Sequence, residues 1–359
     1  MKNALLLTGA AARISQEVAI IDKLIEKKGL EIKPENTMLA GFSSGALNVG
    51  AINACFRNKD PLDWNGYFKK EMLFPVKTSS IYYRENFVPF NTSPLRKLLK
   101  DFLDTAGIKT FDDCAFDSYI LAFSYRRLAT LWASNMFNRH KKTDMLDLLM
   151  ATSAIPLIFP DQTIKNYEKE NQRYLKGSFA DGGSGGSFRR FEYYLKRYLK
   201  QHGKFEKVYI VSPMRDVAED DYEELNKITR ARDLFSLDIK NVKVLRFFTA
   251  MVSQNGFDLF IKRFHKWSQK HDVADEVYVC IPEMKKNFPF LEFGEQVEQY
   301  NAVTEWIEEN PEKLAVPLNE YVKKFDRTPL RRIQVTLRRR MLHRSRSFFR
   351  RLNILVHRQ

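Results

Sequence analysis

Gly41-Phe42-Ser43-Ser44-Gly45 stands where the apolar run Thr37-Met38-Leu39-Ala40 gives way to a helix-like segment, Ala46 to Cys55. A serine between two glycines at such a junction is held on a sharp strand-to-helix turn with its hydroxyl exposed. Gly41 and Gly45 matter because side chains there would collide in the turn or block a substrate. The helix that follows brings backbone N–H groups and a positive dipole end to any anion forming at Ser43. Upstream, Asn3-Ala4-Leu5-Leu6-Leu7 is a continuous apolar run suited to a buried parallel strand. Ser15 to Lys28 carries Val18, Ile21, Leu24 and Ile25 at helical spacing and ends before Gly29, a natural C-cap. A βαβα opening of this kind implies a parallel sheet covered by helices.

Further strands are expected at Tyr119 to Phe123, Val208 to Val211 and Val277 to Ile281. Helices are expected at Asp144 to Met150 and at Glu295 to Glu309, the latter stopped before Pro311. Phe56 to Phe111, rich in aromatics, Pro and Lys, reads as loops and short helices over one edge of the sheet.

The chain has 359 residues, 44% hydrophobic residues and 28 phenylalanines, enough for a large α/β core and against disorder. Cys55, Cys114 and Cys280 are far apart and odd in number, which argues against a disulfide framework and favours reduced thiols, in a cytosolic protein or an exported one without structural disulfides. No spacing of His and Cys suits a metal, and no cofactor motif is present. The apolar run at the N-terminus is too short for a signal peptide, and no run approaches the roughly 20 apolar residues that span a bilayer. The expectation is a cytoplasmic protein whose membrane contact is peripheral.

Net charge is +15, unevenly spread. From Arg327 onward there are eleven arginines and no acidic residue, which leaves +4 for residues 1–326. Thr328-Pro329 suits the start of a helix. Leu330, Ile333, Leu337, Met341, Phe348, Leu352 and Leu355 then approximate one apolar face. Such a basic amphipathic helix can lie on an anionic bilayer. Docking on the body of the protein is the plainer alternative, and nucleic-acid phosphate, which an arginine face also attracts, is set behind both.

A serine hydroxyl needs a base and an oxyanion site before it becomes a nucleophile. The six histidines, His140, His202, His265, His271, His343 and His357, all sit among basic or polar residues and read as solvated surface groups. A histidine-dependent α/β hydrolase would draw on His202, His265 or His271. Phe179-Ala180-Asp181-Gly182-Gly183 offers a different base, a carboxylate at the end of a short apolar segment before two glycines. Thr8-Gly9-Ala10-Ala11-Ala12-Arg13, between the first strand and first helix, offers closely approaching backbone N–H groups, with an arginine that can order the loop or attract an anion.

In this order the pieces resemble the patatin-like phospholipase family, with motifs over about residues 1–215 and a weaker likeness to about residue 310. Ala151-Thr152-Ser153-Ala154-Ile155-Pro156-Leu157-Ile158-Phe159-Pro160 also looks like the family's stretch upstream of its aspartate. The resemblance implies a three-layer α/β fold over residues 1–310, with a central, mostly parallel sheet flanked by helices. Residues 311–326 would be a connector and 327–359 the basic tail. It also implies a lipid acyl hydrolase acting on phospholipids or lysophospholipids through a Ser43–Asp181 dyad, with Gly41, Gly45, Gly182 and Gly183 shaping the two turns. Gly9, Ala10, Ala11, Ala12 and Ser44 would supply oxyanion donors, supported by Arg13. The family's loop reads Gly-Gly-Gly-x-Arg-Gly, so Ala10, Ala11 and Ile14 depart from it. Alanine keeps the N–H but resists φ > 0. One lost donor costs about 3 kcal/mol of transition-state stabilisation, so a weakly active or non-catalytic membrane-binding protein is the alternative reading.

Overall fold

The computed structural model describes residues 3–57, 77–83, 89–156, 158–183, 188–215 and 254–326. The basic tail from Arg327 lies outside these residues. By contact the chain divides into Met1–Leu318 and Asn319–Gln359. The second unit is described only over its opening residues, part of the helix Leu318–Asp326.

The first unit is built on an eight-stranded sheet. Its strands are β1 (Asn3–Leu7), β2 (Thr37–Phe42), β3 (Asp117–Ser124), β4 (Ala129–Ser134), β5 (Phe179–Asp181), β6 (Phe205–Val211), β7 (Ala274–Cys280) and β8 (Val316–Pro317). Their order is β4-β3-β2-β1-β6-β7-β8, with β5 paired to β3 off this path. The five strands from β3 to β7 across the centre are mutually parallel, and β4, β5 and β8 are antiparallel additions. Central strands buried on both faces must be apolar at successive positions, which is why β1 and β2 read as unbroken apolar runs.

Side chains alternate across the sheet. Leu5, Leu7, Leu39, Ile120 and Val211 join one core with α1 (Ile14–Lys28), α2 (Ser44–Arg57), α3 (Ser93–Thr105), α4 (Met145–Thr152) and α7 (Gln296–Glu309). The intervening residues are served from the other side by α5 (Phe188–His202) and α6 (Gln254–His271), where Tyr198 meets Tyr119 edge-on at 6.5 Å. The result is the expected three-layer α/β arrangement.

Sequence expectations held closely for α1, whose Gly29 cap adopts φ 63, and for α4, whose Asp144 side chain accepts from the Asp147 N–H. Two needed correction. The region Phe56 to Phe111 contains a full 13-residue helix, α3, which Pro94 opens and Leu95, Leu99, Phe102 and Leu103 bury. That apolar period was present in the sequence, but the surrounding aromatic and proline content obscured it. His140 is not solvated: it is buried, and its Nδ1 accepts from the Ser134 N–H at 3.3 Å. Burial holds its pKa down to about 3, so it is a neutral structural acceptor.

Candidate active site

Strand β2 runs parallel to β3 and ends with Phe42 opposite Leu121. Strand β5 runs antiparallel to β3 and ends with Asp181 opposite Ala122. The aspartate therefore takes the next place in register along β3, the place β2 gives up when the chain turns out of the sheet at Ser43. Two strands meeting end to end against one neighbour bring together residues 138 positions apart in the sequence.

Ser43 has φ 54, a left-handed backbone that a non-glycine residue adopts at a cost of about 1 kcal/mol or more. Backbone packing and hydrogen bonding hold it there. Its N–H donates to Thr152 Oγ1 at 3.0 Å, and its carbonyl accepts from Ala46 N–H at 3.0 Å. Thr152 also binds the other half of the site, because its carbonyl accepts from Gly182 N–H at 3.2 Å. Ala154 carbonyl accepts from Asp181 N–H at 2.8 Å. The turn after α4 thus fastens both chain segments. The sequence flagged that stretch, but not Thr152 within it.

Three glycines are required by close approach rather than by flexibility. A Cβ on Gly45 would sit 2.6 Å from the Leu7 carbonyl carbon, and one on Gly41 would sit 2.7 Å from the Gly45 oxygen. A Cβ on Gly182 would lie 2.8 Å from the Leu121 carbonyl carbon. Gly183 donates its N–H to Asp181 Oδ1 at 2.7 Å.

Asp181 is buried, and desolvation pushes its pKa up to about 6. A hydrogen bond with the Ser43 hydroxyl, the Gly183 N–H and the charge of Arg215 act in the opposite direction. Among the described residues, no histidine contributes to this balance or lines the cleft beside Ser43. His202 instead stacks on Tyr198 at 4.3 Å, and His271 packs near Trp267 at 5.3 Å.

The loop after β1 is held by its surroundings at Gly9, Ala10 and Ala12. Gly9 has φ 57, and a Cβ there would lie 2.6 Å from the Gly45 nitrogen. Its N–H donates to Glu17 Oε1 at 2.7 Å, Ala10 N–H donates to Ser44 Oγ at 3.0 Å, and Ala12 N–H donates to the Phe290 carbonyl at 2.8 Å. Among the described residues no acceptor meets the N–H of Ala11 or of Ser44. Ala11 is left-handed as well, at φ 50, and both Ala11 and Ser44 line the cleft beside Ser43.

Arg13 is fully buried. Its Nε and one terminal nitrogen donate to the Phe288 carbonyl at 2.8 and 2.5 Å, and the other donates to the Met214 carbonyl at 2.6 Å. Its guanidinium also lies 4.0 Å from the Phe290 ring centroid. Of the two roles open to it in the sequence, ordering the loop is the one it fills. Gln296 and Gln299 complete the clamp through the Ala12 carbonyl, at 2.8 and 3.3 Å.

The cleft holds about 850 Å³ of atom-free space, part of it open to solvent, and its walls are mainly apolar. Ile14, Leu47, Leu98, Phe102, Leu149 and Phe293 are among the lining residues, with Ser43 and Ser44 contributing the polar edge. Apolar walls with a polar edge are the lining expected of a site for an apolar ligand.

A serine on a strained strand-to-helix turn that opens on an apolar cleft, with a buried carboxylate next to it in register, fits the class of lipid-handling hydrolases. The chain belongs to the patatin-like phospholipase family, whose model matches residues 5–188. Among solved structures, VipD from Legionella pneumophila is similar at 10% identity over 86% of this chain and 67% of its own, with a TM-score of 0.34. No curated protein matches. Among the described residues, no helix is long and apolar enough to cross a membrane.

Proposed function

We propose that this chain hydrolyses fatty-acyl esters of phospholipids or lysophospholipids through a Ser43–Asp181 dyad and an acyl-enzyme. Membership of the family supports lipid acyl hydrolysis in general. The placement of Asp181 in the next register position along β3 after Ser43's strand, with Ser43 opening on an apolar cleft, carries the finer assignment.

Asp181 accepts the Ser43 proton as Ser43 Oγ attacks the ester carbonyl. A pKa near 6 suits this task, since the group is mostly ionised at pH 7 yet remains basic enough to take a proton. The N–H groups of Ala11 and Ser44 donate to the oxyanion. Collapse breaks the bond to the leaving alcohol, which takes the proton from Asp181. Water then loses a proton to Asp181 and attacks the acyl-enzyme. The Ser43 ester bond breaks, the fatty acid departs, and the proton returns to Ser43. No cofactor enters these steps.

The acyl chain would lie in the cleft with its carbonyl at Ser43. The arginine-rich tail would hold the protein against anionic lipid. Binding to anionic liposomes that is lost on truncation after Asp326, with nucleic-acid binding weak throughout, is the expected result for that role.

A second reading has support in the loop: Gly9, Ala10 and Ala12 N–H groups are already engaged, and Ala11 is strained. A patatin-fold protein with little catalysis, acting on membranes as a binding or regulatory module, would tolerate both features. Fluorophosphonate labelling separates the readings. An activated Ser43 reacts, and Ser43→Ala abolishes the reaction; failure of the wild type to label or to release fatty acid from phospholipid overturns the hydrolase assignment.

A further inference from the structure

The donor loop and the helix bearing the nucleophile are separate pieces of chain, and an oxyanion site spanning both works only at a fixed spacing. Two side chains set that spacing. Glu17, on α1, is completely buried, a costly place for a carboxyl group unless it is well hydrogen-bonded. Its Oε1 accepts from Gly9 N–H at 2.7 Å, and its Oε2 accepts from Asn48 Nδ2 at 2.8 Å. Gly9 opens the loop and Asn48 lies one turn into α2, so one carboxyl group joins the two segments. Ser44, the first residue of α2, makes the second link by accepting the Ala10 N–H at 3.0 Å. Between them they engage the Gly9 and Ala10 N–H groups, while Ala11, whose N–H meets no acceptor among the described residues, lines the cleft together with Ser43.

We propose that Glu17 and the Ser44 side chain are positioning residues that fasten the donor loop to the nucleophile helix and thereby select Ala11 as the loop's oxyanion donor. This rests on the hydrolase reading above. Where conformationally free glycines could settle into place, this loop carries Ala11 at φ 50, with the Gly9 and Ala10 N–H groups before it fixed by acceptors from its neighbours. The link needs an acceptor at Glu17 more than a charge. Asn48 Oδ1 is buried without a partner, so a turn of the Asn48 amide would let a glutamine at position 17 keep both contacts.

The test uses the full-length chain and the variants Glu17→Leu, Glu17→Gln and Ser44→Ala. Hydrolysis of a soluble acyl ester and amide hydrogen exchange are measured on each. Glu17→Leu is expected to lower kcat at least tenfold with KM within twofold, and to speed exchange over residues 8–13 while exchange in β1 and β2 is unchanged. Glu17→Gln restores most of kcat and the wild-type exchange. Ser44→Ala shows a smaller loss of the same kind. Unchanged loop exchange in Glu17→Leu, or equal losses in the leucine and glutamine variants, overturns the proposal. General loss of exchange protection in Glu17→Leu, with Ser44→Ala indistinguishable from wild type, overturns it too. Should the wild type release no fatty acid, the hydrolase reading falls, while the exchange measurements still decide whether these side chains fasten the loop.

Discussion

The two halves of the site are built by different means. The Ser43–Asp181 half is set by backbone register, with β2 and β5 meeting end to end on β3 and the turn around Thr152 and Ala154 bonding to both. The donor loop is set by side chains arriving from afar, through Arg13 to Met214 and Phe288, Gln296 and Gln299 to Ala12, and Glu17 to Gly9. Register tolerates little variation, because a change must move whole strands. A side-chain clamp can be retuned one residue at a time, so a loop with Ala10 and Ala11 can persist beside an intact nucleophile turn.

Substitutions at the reacting groups should break the register-built half most completely. Ser43→Ala and Asp181→Asn are each expected to lower kcat by about a thousandfold or more with the fold retained, read as fatty-acid release per folded molecule. Wild-type levels in either would remove that residue from the dyad.

Gly45→Ala attacks the point where the two halves touch. Its Cβ would meet the Leu7 carbonyl at 2.6 Å, so β1 or α2 must shift, at a cost of about 3 kcal/mol. A large fall in the unfolding midpoint is the expected reading, and an unchanged midpoint would mean the strand–helix junction is looser than described.

Acidity distinguishes the halves in another way. As the proposed base, Asp181 must be ionised, so kcat/KM should fall as the pH drops through about 6. Stability runs in the opposite direction. A carboxyl group whose folded pKa is raised favours the fold while protonated. That contribution is fully present below the unfolded value near 4 and is lost as pH rises through about 6. Glu17, raised to about 7 by burial, follows the same sign over a higher window. At pH 8, Asp181→Asn should therefore be more stable than wild type, by on the order of 1–3 kcal/mol in denaturant unfolding. Equal or lower stability would contradict the buried-carboxylate description.

The smallest effect is expected in the clamped half. Ala11→Gly relieves a left-handed alanine, so stability should rise by roughly 0.5–1 kcal/mol after the entropy of the added glycine is set against it. A decrease would show that the alanine is not strained where it stands.

Much of this architecture was legible in sequence order. Apolar runs located β1, β2, β3, β6 and β7, helical spacing located α1, Pro311 marked the end of α7, and the Ser43 and Asp181 turns declared themselves by their glycines. Glu17 gave no signal, because a glutamate in the first turn of a helix ordinarily favours the dipole and faces water. Arg215 was silent for a similar reason: it is buried, bonded to Ser212 Oγ at 2.8 Å and to Thr8 Oγ1, and acts electrostatically on both Glu17 and Asp181. His140 reads as a surface group because it is flanked by charged residues, yet its ring is buried while Arg139 is exposed.

By itself, then, the sequence determined the strands and the turns at Ser43 and Asp181, since hydrophobic period and glycine placement act within a few residues. Only the tertiary structure decided that Asp181 fills the register position vacated at Ser43 and that Arg13 is a buried clamp. It alone left Ala11 N–H without an acceptor among the described residues while Gly9, Ala10 and Ala12 were engaged. Those outcomes depend on which distant carbonyls and carboxylates arrive beside the loop once the sheet is assembled, and local spacing carries no record of them.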